Sequence, residues 1–119
     1  GVILTLSASP ARLAVALTGG FGVACAAVEG LTRTLAAELS PRGVRVVCIR
    51  PHRTGDTLGH NADFDMAPDA FRRLIEDMTL LKRLPTLDMV ASTAVFLASD
   101  HAAAMSGTVA NLSCGMSVD

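Results

Sequence analysis

Three short aliphatic runs, separated by segments with helical periodicity, constrain the fold of this sequence more than any other feature. The runs span Gly1 to Leu6, Val44 to Ile49 and Thr108 to Leu112. Continuous aliphatic runs of this length are typical of strands that helices cover on both faces. Strands that alternate with helices pair in parallel through right-handed connections. The pattern therefore predicts an α/β fold with three parallel strands.

The segments between these runs predict three helices and one long loop. The first helix runs from about Thr18 to Leu39, where apolar residues recur at every fourth position: Val23, Ala27, Leu31, Leu35 and Leu39. A shorter helix begins near Pro68, with four apolar residues on one face: Phe71, Leu74, Ile75 and Met78. The third continues from Thr86 to Ser99. Residues 50–67 are rich in Gly, Asp, Asn and Thr, which predicts a loop of a length that is often functional.

Composition and charge exclude several classes of protein. The 119 residues suit one domain, and a net charge of -1 offers no basic surface for nucleic acid or an anionic membrane. No run approaches the roughly 20 apolar residues of a membrane span, and no signal peptide opens the chain, so we expect a soluble cytoplasmic protein. Cys25, Cys48 and Cys114 are widely spaced and form no zinc-binding pattern, so we expect reduced thiols and no metal.

Three segments of the sequence resemble the C-terminal half of a short-chain dehydrogenase/reductase. They are AAVEGLTRTLAAELSPRGVRVVCIRP (26–51), RLPTLDMVASTAVFLASD (83–100) and SGTVANLSCGMSVD (106–119). The resemblance implies a doubly wound, Rossmann-like parallel sheet that binds NAD(H) or NADP(H), of which these strands are the fifth, sixth and seventh. It also implies that residues 1–119 are a single half-domain. The nucleotide-binding N-terminal half, with its Gly-rich cofactor loop, is then absent.

The resemblance places two unusual residues at the catalytic positions of the family. When AAVEGLTR is aligned, the Tyr and Lys of the family's Tyr-x-x-x-Lys motif fall on Phe21 and Cys25. A phenyl ring has no proton to transfer, and a neutral thiol has no ammonium charge. The family's catalytic Ser falls on Ala8, between Ser7 and Ser9, so either hydroxyl is a candidate. These replacements predict that the chain lacks standard hydride-transfer activity.

The loop after the second strand holds the remaining candidates for a ligand site. By resemblance it passes the nicotinamide, which makes Pro51, His52 and Thr54 candidates for cofactor binding. His52 stands where a Gly commonly follows the Pro in the family. Together with Arg50 and Arg53, it also suits an anionic small molecule such as a phosphate or a carboxylate.

Two other classes of function remain open at the level of sequence. A cofactor-independent hydrolase of esters or phosphate esters would use Ser7 or Ser9 as nucleophile and a histidine as base. Its histidine would be His52 or His60, oriented by Asp56 or Asp63. The sequence has no GxSxG motif to support this reading. The third class is a non-catalytic binding or assembly module.

The predicted sheet also suggests a partner. The first strand lacks the neighbour that the family places beside it, and an open hydrophobic edge favours pairing with another chain. By resemblance, the first helix forms much of the family's dimer interface. We therefore expect a homo-oligomer or association with the missing N-terminal half.

Overall fold

The computed structural model of the protein describes residues 1–58 and 66–119. His60 and Asp63, which the hydrolase hypothesis offers as a base and an orienting acid, lie outside the described residues.

Three parallel strands form one sheet in the order β1-β2-β3. The strands are β1 (Val2–Leu6), β2 (Arg45–Pro51) and β3 (Val109–Leu112). Ile3 lies opposite Val46, and Cys48 lies opposite Val109. Both neighbours of β2 are parallel to it, so the predicted α/β class and the partial Rossmann-like sheet are confirmed.

Three helices connect and cover these strands. They are α1 (Phe21–Leu39), α2 (Pro68–Met78) and α3 (Leu87–Ala98), each close to its predicted position. The side chain of Thr86 caps α3 by accepting a hydrogen bond of 3.2 Å from the backbone N–H of Met89. Both α1 and α3 contact the first two strands, and α1 lies between β1 and β2 in the chain.

The face of α1 that meets the sheet is not the face that the apolar periodicity predicts. Val23 is 74% exposed and Leu31 is 51% exposed, so these residues point away from the sheet. The buried side chains of the helix are Cys25, Glu29, Thr32 and Ala36. A carboxylate replaces an apolar group in this buried stripe because Arg50 of β2 pairs with it. The fourfold apolar repeat therefore identifies the helix correctly and its buried face wrongly.

The central strand β2 supplies most of the core. Val47 and Ile49 pack with Leu97 and Ala102 on the α3 side of the sheet. Side chains alternate between the two faces of a strand, so Cys48 and Arg50 project toward α1. Both are buried, and Arg50 is only 1% exposed. An arginine at this depth requires carboxylate partners, and these lie at the carboxyl end of the sheet.

Within residues 1–58 and 66–119, no helix combines the length and the apolar character that a membrane crossing requires.

Candidate functional site

A cavity of about 490 Å³ opens beyond the carboxyl ends of β1 and β2. We call it the strand-end cavity. Open α/β sheets bind their ligands at this edge. Its wall combines residues that follow β1, the first turn of α1 and the loop that follows β2. The lining includes seven residues that the sequence singles out as candidates: Ser7, Ser9, Phe21, Cys25, Pro51, His52 and Thr54.

The hydroxyl groups of Ser7 and Ser9 already form hydrogen bonds within the protein. Ser7 Oγ donates to Glu29 Oε1 over 2.8 Å, and Ser9 Oγ donates to the carbonyl of Pro51 over 3.3 Å. Both residues are buried, with Ser9 fully inaccessible. Each hydroxyl has one proton to donate, and here that proton goes to an acceptor other than the histidine. These two serines hold the β1 loop against α1 and β2.

Phe21 and Cys25 lie on the wall formed by the start of α1. Residues four apart share a helical face, so both reach the strand-end cavity. Cys25 is only 5% exposed, whereas Phe21 is 52% exposed. The start of the helix is fixed closely, because a Cβ atom on Gly22 would lie 2.8 Å from the carbonyl oxygen of Pro10.

The half-buried His52 carries an inaccessible polar atom that lacks a partner. Among the described residues, its Nε2 atom is inaccessible to solvent and has no hydrogen bond. Burial lowers the pKa of His52 below its ordinary value, and the positive charge of Arg53 lowers that pKa further. The imidazole is therefore neutral at pH 7, with one nitrogen that donates and one that accepts.

Asp56 does not orient this imidazole. Its carboxylate accepts a hydrogen bond of 3.4 Å from the backbone N–H of Leu87, at the start of α3, and it does not line the strand-end cavity. Ser7, Ser9 and His52 thus converge on one cavity. Within the described residues, the geometry provides neither a serine hydroxyl donating to His52 Nε2 nor Asp56 as its orienting acid.

A network of polar side chains crosses the sheet at its carboxyl end; it is buried at Ser7, Glu29 and Arg50 and exposed at Asn111 and Asp119. Arg50 Nη1 donates to Glu29 Oε1 over 3.2 Å, and Arg50 Nη2 pairs with Asp119. Asn111 Nδ2 donates to Asp119 Oδ1 over 2.7 Å. With the bond from Ser7 to Glu29, these contacts join the carboxyl ends of all three strands.

The charged groups of this polar network, Arg50, Glu29 and Asp119, stabilise one another. Burial by itself lowers the pKa of Arg50, but hydrogen bonds to Asp119 and Glu29 outweigh it and raise that pKa above its ordinary value. The hydrogen bonds from Arg50 and then Asn111 hold the pKa of Asp119 below its usual range. Arg50 is therefore committed to carboxylates of its own chain. In this structure its Nη atoms are therefore not available to an external anion.

A second cavity, of about 360 Å³, adjoins the first; we call it the α2 cavity. Val15, His52 and Arg53 line both. The far wall is apolar and consists of residues from α2 and the loops around it: Leu13, Ala14, Ala16, Phe71, Leu74, Ile75, Met78 and Met116.

All four residues of the predicted apolar face of α2 line this cavity, and two of them also pack in the core. Phe71 and Ile75 are buried against Leu84, whereas Leu74 and Met78 are 49% and 57% exposed. The guanidinium of Arg53 lies 5.4 Å from the centre of the Phe71 ring, which links the β2 loop to α2.

The described residues do not fit a complete dinucleotide cofactor. No Gly-rich turn from a strand into a helix cradles a phosphate among residues 1–58 and 66–119, and Cys25 presents no cation to a ribose. In the same ranges, no group of three or more His, Cys, Asp or Glu side chains is placed to hold a metal ion.

Sequence reasoning missed three members of the polar network: Glu29, Asn111 and Asp119. Two features of the sequence indicate this polar network. Arg50 follows directly on an aliphatic strand, and Glu29 lies four residues after Cys25, on the same helical stripe. An arginine in a buried strand requires a carboxylate, and the buried helix stripe offers one.

Comparison with known proteins identifies related chains along the whole sequence. Residues 1–117 match the family described as enoyl-(acyl carrier protein) reductase. The chain is 40% identical over 87 residues to tropinone reductase-like 3 from Erythroxylum coca, covering 73% of this chain and 32% of that protein. It is 36% identical over 107 residues to D-threitol dehydrogenase from Mycolicibacterium smegmatis, covering 90% of this chain and 40% of that protein.

A solved structure shares the fold. It is the crystal structure of a short chain dehydrogenase family protein from Francisella tularensis, with a TM-score of 0.87 and 19% sequence identity. The match covers 98% of this chain and 50% of that one. The chain spans less than half the length of these two curated relatives.

Proposed function

This chain belongs to the short-chain dehydrogenase/reductase family, and we propose that it forms the substrate side of an NAD(P)-linked family site that lacks the standard proton-transfer pair. The observation that carries the proposal is the joint position of Phe21 and Cys25. Both line the strand-end cavity at the edge where α/β sheets bind ligands. The proposal is supported by this shared position, because the two residues that the resemblance aligns with proton transfer and ribose binding lack the chemistry of those roles.

The loss of function follows from the two side chains. A general acid must hold a transferable proton within hydrogen-bond reach of the substrate, and Phe21 has none. Cys25 is buried and offers neither the reach nor the charge of an ammonium group. Pro51, His52 and Thr54 remain candidates for the wall beside a nicotinamide, whether of NAD or NADP. The phosphate-binding half has to come from another part of the protein or from a partner.

Calorimetric titration of the chain with NADH and NADPH tests this proposal. The native chain is expected to bind neither with a Kd below about 1 mM, because it lacks the phosphate loop and the ribose-holding cation. Cys25→Lys restores that cation at the cavity wall, and it should tighten binding relative to Cys25→Ala as the matched control. Micromolar binding by the native chain, unchanged by either substitution, contradicts the proposal.

The exposed face of α1 supports association of the chain with a second copy. Val23 and Leu31 lie on this face, with Ala27 midway between them on the helix. Burial of such side chains stabilises a complex by about 25 cal/mol per Å² of apolar surface. We expect light scattering on a size-exclusion column to show a dimer that Val23→Lys or Leu31→Lys dissociates. A monomer in both the native chain and the variants contradicts self-association.

The hydrolase hypothesis has one supporting observation, which is that Ser7, Ser9 and His52 line one cavity. It predicts ester cleavage without a cofactor, lost in Ser9→Ala and in His52→Ala. The hydroxyl protons of both serines point elsewhere, so we place this function second.

A further inference from the structure

A groove of about 520 Å³ lies between the loop that joins α2 to α3 and the segment that follows β3. We call it the Arg83 groove. Among the described residues, it shares no lining residue with the strand-end cavity or the α2 cavity. A cavity of this volume has room for a small molecule. Its lining includes Leu81, Arg83, Met89, Leu112, Gly115 and Val118.

Hydrogen bonds hold the backbone on both sides of the groove. The N–H of Arg83 donates over 3.1 Å to the hydroxyl oxygen of Thr79, whose side chain is buried. The N–H of Leu81 donates over 3.0 Å to the carbonyl of Cys114, so the loop before α3 is bonded to the segment after β3. Because these contacts already fix the walls, a ligand binds without the cost of ordering them.

The walls of the groove present apolar side chains to solvent. Leu81, Met89 and Val118 are all exposed. Apolar surface gains free energy when it leaves water, and a hydrocarbon group that covers these side chains would supply that gain. The groove therefore suits a ligand with an apolar part.

Arg83 supplies a charge that has no opposite charge beside it. Within the part of the chain that the structure describes, none of the ion pairs involves Arg83, and its hydrogen bonds are made by its backbone. Asp119 also lines the groove, but its carboxylate already pairs with Arg50 and accepts a hydrogen bond from Asn111. A guanidinium binds a carboxylate through two parallel hydrogen bonds, so a carboxylate is the group that complements this charge.

We propose that the Arg83 groove binds an apolar molecule with a single carboxylate. The carboxylate pairs with the guanidinium of Arg83, and the hydrocarbon part covers Leu81, Met89 and Val118. An uncharged molecule of the same shape leaves Arg83 without a partner, and a cation is repelled by it. The groove is separate from the strand-end cavity, so this inference does not rest on the proposed function.

The test is an NMR titration of the ¹⁵N-labelled chain with sodium octanoate, 1-octanol and octylammonium chloride. We expect octanoate to bind most tightly of the three and to shift the amide signals of Leu81 and Gly115. In Arg83→Gln, the affinity for octanoate should fall about fivefold, the upper end for an exposed ion pair, while that for 1-octanol stays within about twofold. Added salt should weaken the binding of octanoate more than that of 1-octanol, because it screens the ion pair.

Two variants keep the result interpretable. Arg83→Lys keeps the charge and should retain more octanoate affinity than Arg83→Gln. Arg73→Gln removes an exposed charge on α2 that does not line the groove, and it should leave octanoate binding within about twofold.

Three results would overturn the proposal. They are octanoate binding that is absent or no tighter than that of 1-octanol, octanoate binding that Arg83→Gln leaves unchanged, and amide shifts confined to Phe21 and His52. The last result would place octanoate in the strand-end cavity. No nicotinamide nucleotide is present, so failure of octanoate binding and failure of the nucleotide titration are separate results.

Discussion

Removal of the Glu29 carboxylate is the sharpest test of the polar network at the carboxyl end of the sheet. Glu29 is 6% exposed and Arg50 is 1% exposed, so solvent does not replace the lost partner. In Glu29→Ala, Arg50 Nη1 and Ser7 Oγ both lose the acceptor that they share. Arg50 Nε already has no partner among the described residues, and only the bond to Asp119 then remains.

These contacts set limits on the loss in the free energy of unfolding. A buried charge left without any partner costs about 3–5 kcal/mol. Arg50 keeps Asp119, so we expect the free energy of unfolding to fall by about 2–3 kcal/mol in Glu29→Ala. Replacement of the whole pair, in Glu29→Leu/Arg50→Met, should cost less than Glu29→Leu alone, because the charge that then loses its partner is Asp119, which is partly exposed and keeps its hydrogen bond from Asn111.

Urea unfolding followed by circular dichroism measures these differences by linear extrapolation. Glu38→Ala is the matched control, since Glu38 is exposed on the same helix, and it should change stability by less than about 0.5 kcal/mol. If Glu29→Ala behaves like Glu38→Ala, or if the double variant loses as much as the sum of the single variants, Arg50 is not held in a buried ion pair and the reasoning fails.

Three further predictions concern backbone fit and pH. Gly22→Ala places a Cβ atom 2.8 Å from the Pro10 carbonyl oxygen and should lower stability by about 1–3 kcal/mol, whereas Gly20→Ala, with nothing within 4 Å, should be neutral in the same urea assay. Cys114 has a positive φ of 54°, so Cys114→Gly should raise the melting temperature while Cys114→Ala leaves it unchanged; a lower value for the Gly variant contradicts this strain argument. Because the folded state lowers the pKa of His52, the unfolded chain binds more protons as pH falls below 6.5, and stability should decline there. His52→Gln should remove that part of the decline, and an unchanged pH profile in the variant refutes the assignment.

The sequence predicts those parts of the fold that depend on the preferences of a few neighbouring residues. β-branched runs mark β2 and its neighbours, and the stop at Ser40-Pro41-Arg42-Gly43 marks the end of α1, because strand and turn preferences act over a few residues. The buried face of α1 was not predictable in this way. It depends on the pairing of Glu29 with Arg50, 21 residues further along the chain, and that pairing exists only in the folded structure.

For the candidate site, the sequence likewise indicates where residues lie but not which partners they bond to. Parallel strands end at one edge, so the sequence permits Ser7 and His52 to come together without showing that they do; in the structure both line the strand-end cavity. What each group is bonded to was not predictable. The acceptor of Ser7 is on a helix, and the partner that holds Arg50 beside Glu29 is Asp119, 69 residues away. The free Nε2 atom of His52 is visible only after these partners are assigned.

Hydride transfer by a chimera tests the central claim most directly. The chain would replace the matching 40% of D-threitol dehydrogenase from Mycolicibacterium smegmatis, and the rest of that protein would be kept. After NADH or NADPH binding by the chimera is verified, reduction of 2-octanone is followed at 340 nm. We predict no turnover with Phe21 and Cys25 in place, and a rate at least about 100-fold higher in Phe21→Tyr/Cys25→Lys, as restoration of a general acid allows. Turnover by the unmodified chimera that equals or exceeds the rate of the restored variant contradicts the account.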